Sequence, residues 1–254
     1  MKVCLNADMG ESHGRFRVGN DAELMPLVSS ANVACGMHAG DPTIMVETVR
    51  LAQRHDTSIG AHPGFNDLWG FGRRQIKMDP RDIEYFITYQ IGALQVLAES
   101  QNAKVLHVKP HGALNNMAHC DLDIARAVAR GIKAADRELI FVANCCSEMT
   151  RAGTELDLRL AHEAYADRIY DETGMMVSRT QDNAVINDAD QAAEQVVRIM
   201  LDQAIWTGDG KRIPTRVDTF CIHGDEPTAV ELGRKVRQSL EREGVTIAQI
   251  SDVV

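Results

Sequence analysis

Polar and titratable side chains recur in this sequence at the ends of short apolar segments. Five of the nine histidines are placed in this way, and they are His38, His62, His111, His162 and His223. Equivalent positions are occupied by Asn6, Asp8, Lys109, Asn144, Glu163 and Asp225. Imidazoles, carboxylates and an amine, once gathered in one pocket, could exchange protons with a substrate and stabilise developing charge.

Several of these residue types also have purely structural explanations. A single histidine near a strand end is most often a satisfied structural side chain, and we assign His107, inside "VLHVKP", to that class. Asp41 and Asp79 each precede a proline, which is typical of a helix N-cap followed by the first helical position. It is therefore the joint placement of the remaining residues that indicates a functional site.

Asp8, His38 and His62 end three successive apolar segments and could together hold a divalent metal, because oxygen and imidazole ligands suit such ions. Local motifs for other chemistries are missing from the sequence. "HEAYA" does not match the HExxH motif of helical zinc sites, and "GDGKRIP" does not match the GxxxxGK[ST] motif of a phosphate-binding loop. The GxSxG motif of a nucleophilic serine is also missing. We therefore expect no P-loop nucleotide site in this chain.

Glycine-rich strings accompany the polar residues. In "CGMHAGD", "GAHPG" and "KPHGAL", glycine would let the backbone approach a ligand closely. "GFGRR" adds the adjacent Arg73 and Arg74, whose guanidinium groups could form bidentate hydrogen bonds with a carboxylate or a phosphate. A solvated pair of loop arginines explains that string about equally well.

The elements that must position these residues follow from the apolar pattern. Strands are predicted at residues 2–8, 30–36, 57–63, 104–110, 138–144, 158–164 and 219–225. Helical periodicity separates them, and strands that are apolar on both faces indicate a parallel sheet covered by helices. Seven such strands favour an α/β fold of one domain, residues 1–254, in the form of a seven-stranded, TIM-like (β/α) barrel. Strand carboxyl ends then meet at one face, and the long loops at 8–20, 63–78 and 165–188 would surround it.

The composition excludes several classes of partner. A formal net charge of −9 leaves no basic stripe for phosphate contacts, so we expect no nucleic-acid binding. No segment approaches the length of apolar chain that crosses a membrane, and the amino terminus lacks an apolar signal region. Six cysteines without a CxxC pair fit a reducing compartment, and the expected location is the cytoplasm.

As a set, the polar segments resemble the LamB/YcsF family. The matching strings are "LNADMGESHG", "SANVACGMHAGDP", "IGAHPGFNDLWGFGRR", "HVKPHGALNN", "EAYADRIYDETGMMVSR" and "CIHGDEP". They run from residue 5 to residue 227 in the order of the family and cover nearly the whole chain. The family usually has phenylalanine at the positions of Met37 and Tyr165, and tyrosine at that of Asn115.

This resemblance implies a barrel similar to the glycoside hydrolase/deacetylase superfamily and a specific reaction. The family opens the lactam ring of 5-oxo-L-proline (pyroglutamate) to give L-glutamate, with ATP as co-substrate of a complex that also contains subunits B and C. The resemblance implies that those partners phosphorylate the lactam oxygen, which agrees with the absence of a P-loop motif from this sequence. Phosphorylation of the oxygen turns it into a leaving group and makes the ring carbon easier to attack.

The resemblance also suggests roles for individual residues. The candidate catalytic set is Asp8, Glu11, His38, His62, Lys109, His111, His223 and Asp225. The candidate substrate-binding set is Asn6, Arg73, Arg74, Arg168 and Arg179. Within these sets, we expect Asp8 or His62 to activate water, and His111 or His223 to protonate the departing nitrogen.

Two other functions fit the same residues. One is a metal-dependent deacetylase or amidohydrolase that needs neither ATP nor partners, with Asp8, His38 and His62 as its ligands. The other is a non-enzymatic scaffold for subunits B and C. A ring of titratable groups around one pocket argues against the scaffold, because a scaffold has little use for it.

Overall fold

A computed structural model describes residues 1–178, 181–182, 184–224 and 228–254 of the chain. In it, seven parallel strands form a closed barrel. They are β1 (Lys2–Met9), β2 (Ser30–Ala34), β3 (Ser58–His62), β4 (Val105–Val108), β5 (Ile140–Asn144), β6 (Arg159–Tyr165) and β9 (Thr219–Ile222). Neighbours in this order pair with each other, and β9 pairs back with β1 to close the barrel. The predicted seven-stranded barrel is therefore confirmed, and each predicted strand overlaps one of its strands.

Helices cover the outside of the barrel. They are α1 (Asp21–Leu24), α2 (Pro42–Arg54), α3 (Pro80–Glu99), α4 (Gly112–Cys120), α5 (Leu122–Ala135), α6 (Glu148–Glu155), α7 (Ala189–Asp202) and α8 (Ala229–Arg242). The predicted caps form, since Asp41 accepts hydrogen bonds from the Thr43 and Ile44 amides and Asp79 accepts one from Arg81. Within the described ranges, none of the helices combines the length and apolar character that crossing a bilayer demands.

Three short strands were not predicted. Strands β7 (Ala204–Trp206) and β8 (Arg212–Pro214) form an antiparallel hairpin outside the barrel, and the Asp-Gly pair in "GDGKRIP" lies in its turn. Strand β10 (Thr246–Ile247) pairs with the first residues of β1. These pieces are too short for an apolar period to be recognised in the sequence.

The barrel interior changes character along its axis because side chains alternate along each strand. At the amino-terminal end, Cys4, Ile140, Val142, Ala161 and Ile250 form a buried apolar cluster. Ile250 belongs to a 3₁₀ helix at Ile250–Asp252, and the preceding backbone is tied to β1 by a 2.9 Å hydrogen bond from the Ala248 amide to the Val3 carbonyl. The carboxyl-terminal segment therefore plugs this end of the barrel.

Toward the other end the interior becomes polar. Asn6 Nδ2 donates to Glu163 Oε1 at 2.9 Å and to Thr219 Oγ1 at 2.8 Å, while Asn6 Oδ1 accepts from Asn32 Nδ2 at 2.7 Å. His107 Nε2 completes this layer with a 2.9 Å hydrogen bond to Asn32 Oδ1. The layer is almost fully buried and supports the side chains at the carboxyl ends of the strands.

Candidate active site at the carboxyl end of the barrel

A cavity of about 760 Å³ opens at the carboxyl ends of the barrel strands. All three of the long loops predicted at 8–20, 63–78 and 165–188 contribute to its wall. The sequence-predicted residues that line it are Asp8, Glu11, His62, Arg73, Lys109, His111, Arg168 and His223. The structure thus brings most of the predicted set to one cavity.

Lys109 forms the charged centre of the cavity floor. Its ammonium group lies 3.0 Å from Asp8 Oδ1, 3.2 Å from Glu163 Oε1 and 2.8 Å from Cys221 Sγ. Burial by itself would lower the pKa of Lys109, but the neighbouring negative groups, Asp8 foremost, outweigh it and hold that pKa well above its ordinary value. Lys109 is therefore a permanent buried cation.

Asp8 faces both this cation and an imidazole. Its Oδ1 accepts hydrogen bonds from Lys109 and, at 2.9 Å, from Asn32 Nδ2, while its Oδ2 lies 3.4 Å from His62 Nε2. Burial acts to raise the pKa of Asp8, but the neighbouring His62 imidazole and Lys109 ammonium overcome it, and the pKa is well below the usual range. The cavity floor therefore presents an ionised carboxylate beside an ammonium group.

Three histidines and a glutamate form a second group on one side of the cavity. His62 Nε2 and His111 Nδ1 lie 3.0 Å apart, and Glu11 Oε1 lies 3.4 Å from His38 Nε2 and 3.7 Å from His111 Nδ1. The His38 and His111 rings are stacked, with centroids 3.7 Å apart. All four residues are buried, and burial lowers the pKa of His38 and brings the pKa of His111 to about 3.

His223 follows β9, and one of its ring nitrogens lies within 4.8 Å of ligand atoms of Asp8 and Cys221. Its Nδ1 contacts both oxygens of Asp167 at 3.0 and 3.1 Å, and its ring stacks on Tyr165 with centroids 5.4 Å apart. Because a carboxylate can only accept, Nδ1 carries the proton and neutral His223 keeps its lone pair on Nε2. The family usually has phenylalanine at the position of Tyr165. Here the tyrosine hydroxyl donates a hydrogen bond to Asn144 Oδ1 at 3.0 Å.

The predicted arginines have different environments. Arg73 lines the cavity, with its guanidinium carbon 5.1 Å from the centre of the Phe71 ring. Arg74 is paired with Asp67, its side chain is 67% exposed, and it does not line the cavity. Arg168 lines the cavity but directs its guanidinium to the carbonyls of Val177 and Ala184 in its own loop. Arg179 and Asp225 lie outside the described residues.

Two histidines lie outside the cavity wall: His162, which was grouped with the strand-end residues, and His107, which was assigned a structural role. His162 lies in the middle of β6 rather than at its end, because the strand continues to Tyr165. Neighbouring Glu163 points inward to Lys109, so His162 is directed away from the barrel interior and is absent from the cavity wall. His107 belongs to the buried polar layer, as its structural assignment predicts.

The structure groups possible metal ligands differently from the prediction. Among the described residues, ligand atoms of Glu11, His38, His62 and His111 lie within 4.8 Å of one another. Asp8 belongs to a second group with Cys221 and His223. The predicted trio of Asp8, His38 and His62 therefore spans two groups.

Three residues of the site escaped sequence reasoning. The sequence contains a signal for Asn32: it lies two residues after Ser30 in β2, so both side chains are on the same face of the strand. Cys221 was assigned to apolar packing, yet its sulfur contacts Lys109. Asp167, which holds His223, lies in a loop after β6 and has no periodic signal.

Comparison with known proteins agrees with the resemblance seen in the sequence. The model of the LamB/YcsF family matches residues 3–254. A protein of Rhodopseudomonas palustris (strain BisB5), named as the A subunit of 5-oxoprolinase, is 50% identical over 248 residues, which are 97% of this chain and 98% of the relative. Another protein of that name, from Pyrococcus horikoshii, is 45% identical over 254 residues and the full length of both chains.

Solved structures give the same result. The crystal structure of a lactam utilization protein from Thermus thermophilus is 42% identical, with a TM-score of 0.92 over 98% of this chain and 99% of that one. A β-1,4-mannanase shares the fold alone, with a TM-score of 0.52 at 12% identity over 95% of this chain and 99% of that one. The chain belongs to the LamB/YcsF family.

Proposed function

We propose that this member of the LamB/YcsF family is the A subunit of a 5-oxoprolinase and opens the lactam ring of 5-oxo-L-proline to give L-glutamate. The full-length relatives that carry that name support the proposal. The observation on which it depends most is the ionised Asp8 carboxylate beside the Lys109 ammonium, on the floor of a cavity large enough for a small cyclic amide and an attached phosphate. ATP is then used by the partner subunits B and C, which phosphorylate the lactam oxygen.

Ring opening needs a base that activates the attacking water and a proton donor within reach of the departing nitrogen. Asp8 Oδ2, oriented by the two hydrogen bonds to Oδ1, accepts a proton from the attacking water. Collapse of the tetrahedral adduct breaks the carbon–nitrogen bond, and protonated His223 donates to the departing nitrogen from Nε2. Asp167 orients this imidazole and stabilises its protonated form, as the carboxylate of a catalytic triad does. The γ-glutamyl phosphate that remains is then hydrolysed by a second water to L-glutamate and inorganic phosphate.

Negative charge on the substrate requires cations in the cavity. Lys109 stabilises charge that develops at the reacting centre, because a buried ammonium interacts strongly in a site that excludes water. Arg73 is placed to receive the phosphate or the carboxylate of the substrate. Arg168 contributes mainly by holding the loop that it bonds, and Arg74 lies too far out for direct contact.

A reconstituted assay tests this function. The chain is added to purified B and C subunits with ATP and 5-oxo-L-proline, and glutamate release is measured. We expect release only when all three chains and ATP are present. Equal release by B and C alone would contradict the proposal and support a scaffold role.

The metal-dependent deacetylase is the second candidate, and the group of Glu11, His38, His62 and His111 is the observation that favours it. It predicts cleavage of an N-acetylated or cyclic amide by this chain alone, without ATP, and loss of that activity on chelation. Parallel assays with acetylated amino sugars and with 5-oxo-L-proline, each with and without ATP, separate the two functions.

A further inference from the structure

The protonation of two cavity histidines is fixed by their backbone partners. His62 Nδ1 lies 2.7 Å from the Lys109 carbonyl, and His111 Nε2 lies 2.7 Å from the Phe71 carbonyl. A carbonyl oxygen only accepts, so each of these nitrogens carries the proton. When both rings are neutral, His62 Nε2 and His111 Nδ1 direct lone pairs toward each other across 3.0 Å. Either a proton shared by the two nitrogens or a metal ion beside them relieves this repulsion.

Glu11 supplies a third donor atom at the same place. Its Oε1 lies 3.7 Å from His111 Nδ1, and the donor atoms of this group all lie within 4.8 Å of one another. Ligands about 2.1 Å from a tetrahedral zinc ion are separated by roughly 3.4 Å from each other. A proton on the line between two nitrogens satisfies only that pair, whereas a metal ion satisfies the two nitrogens and the carboxylate together.

We propose that Glu11, His62 and His111 form a binding site for a divalent transition-metal ion of the zinc type that opens onto the cavity. Two imidazoles and one carboxylate are a frequent ligand set for catalytic zinc, and the remaining position is open for water or substrate. All three ligands line the cavity. Each histidine donates its other ring proton to a backbone carbonyl, which is the outer-shell contact that metal-bound histidines usually make.

His38 is a positioning residue in this site rather than a ligand. Its ring is parallel to that of His111, with 5° between the planes, so the two rings cannot both aim in-plane lone pairs at one ion. The rings of His62 and His111 are inclined by 85° and can do so. His38 does not line the cavity, and its Nε2 packs 3.4 Å from Glu11 Oε1 without forming a hydrogen bond to it.

Two glycines keep the stacked rings in place. A Cβ added to Gly64 would lie 2.7 Å from His38 Nδ1, and one added to Gly72 would lie 2.7 Å from both His111 Cδ2 and His38 Cβ. Gly72 also has a φ of +64°, which side chains rarely adopt. These contacts give a physical reason for the glycines in "GAHPG" and "GFGRR" that does not depend on the substrate.

Metal occupancy can be measured without any enzymatic assay, so its outcome is separate from that of the proposed function. The full chain is stripped with a chelator and titrated with Zn²⁺ by calorimetry and with Co²⁺ by visible absorption. We expect one ion per chain, with Co²⁺ bands of a tetrahedral or five-coordinate nitrogen–oxygen site. A stripped wild-type chain that is folded by circular dichroism and takes up neither ion overturns the proposal.

Variants locate the ion. Glu11→Gln and His111→Ala should each lower the affinity by about 100-fold or more, and His38→Ala by about 10-fold to 100-fold as an outer-shell change. His162→Ala, which removes an imidazole outside the cavity, is the matched control and should bind as the wild type does. Cys221→Ser tests the second group of potential ligands. A loss of binding in Cys221→Ser together with retained binding in Glu11→Gln and His111→Ala overturns the assignment.

Discussion

The two ends of the barrel interior are built from the same strands but have opposite chemistry. In β1, Cys4 packs into the apolar plug with Ile140 and Ile250, whereas Asp8, four residues later, faces Lys109 in the cavity. The plug is closed by the carboxyl-terminal segment, while the other end is left open to a cavity of about 760 Å³. One end is therefore closed by apolar packing and the other carries the candidate active site, and the polar layer of Asn6 and Asn32 joins them.

This division can be tested most strongly at Lys109. Lys109→Met removes the cation that compensates Asp8 and Glu163, and uncompensated buried charge costs about 3–5 kcal/mol. We expect a loss of that size in the free energy of unfolding, measured by urea denaturation, together with loss of turnover. The double variant Lys109→Met/Glu163→Gln removes one of the two carboxylates left without their cation and should recover part of the stability. A loss below about 1 kcal/mol in the single variant would show that the cavity is far more hydrated than its burial indicates.

Asp8 should affect turnover more than stability. Asp8→Asn keeps the shape but removes the proton acceptor, so glutamate release in the reconstituted assay should fall by about 10²-fold to 10⁴-fold. Asp21→Asn is the matched control, because Asp21 accepts a hydrogen bond from the Gly10 amide but does not line the cavity. Turnover by Asp8→Asn within about threefold of the wild type would assign the base to another group, with His62 next in line.

Substitutions in the apolar plug should affect stability more than turnover, which is the reverse of the expectation for Asp8. Ile250→Ala leaves a cavity among apolar neighbours and should lower the free energy of unfolding by about 2–3 kcal/mol, toward the low end for such changes because the terminal segment can relax. Glutamate release by the folded variant should stay close to the wild-type rate. Strongly reduced release at a temperature where the variant is folded would mean that the two ends are coupled.

The polar layer predicts a smaller effect, which depends on pH. Burial lowers the pKa of His107 from 6.5 to about 3, so the unfolded chain takes up a proton below pH 6.5 while the folded chain does not. Folding stability contributed by neutral His107 is therefore full above pH 6.5 and declines as the pH falls toward 3. The change between about pH 7 and about pH 5.5 should be about 1 kcal/mol.

His107→Gln isolates that contribution, because glutamine can still donate to Asn32 Oδ1 and does not titrate. The difference in pH dependence between the wild type and His107→Gln, measured by chemical denaturation, is assigned to His107. Parallel curves for the two proteins would contradict the assignment, since the other buried histidines are present in both.

Local patterns in the sequence predicted the barrel well. Apolar runs located the seven strands within a few residues, and Asp41-Pro42 and Asp79-Pro80 located the starts of two helices, because caps and side-chain periods are set by neighbours in the chain. The hairpin β7–β8 was missed, since strands of three residues contain too little pattern.

The positions of polar residues at predicted strand ends indicated which side chains meet at the cavity, but not which of them contact each other. Asp8, His62, Lys109, His111 and His223 line one cavity because parallel strands in a closed barrel must end at the same face. The prediction grouped Asp8 with His38 and His62, whereas in the structure Asp8 contacts both Lys109 and His62, and Glu11 is the carboxylate beside His38 and His111. Loop conformation decided this, since Glu11 lies just after the end of β1 and its direction depends on packing between loops.

The sequence by itself determined the fold, the family and the face of the barrel on which the candidate active site lies. Those properties depend on short-range alternation and on strand direction, which the order of residues specifies. Only the tertiary structure decided that Asp167 holds His223, that Cys221 contacts Lys109 and that Glu11 faces His111. These pairs join residues far apart in the chain through side-chain distances of a few ångströms, and no local pattern encodes a distance between residues that the barrel alone brings together.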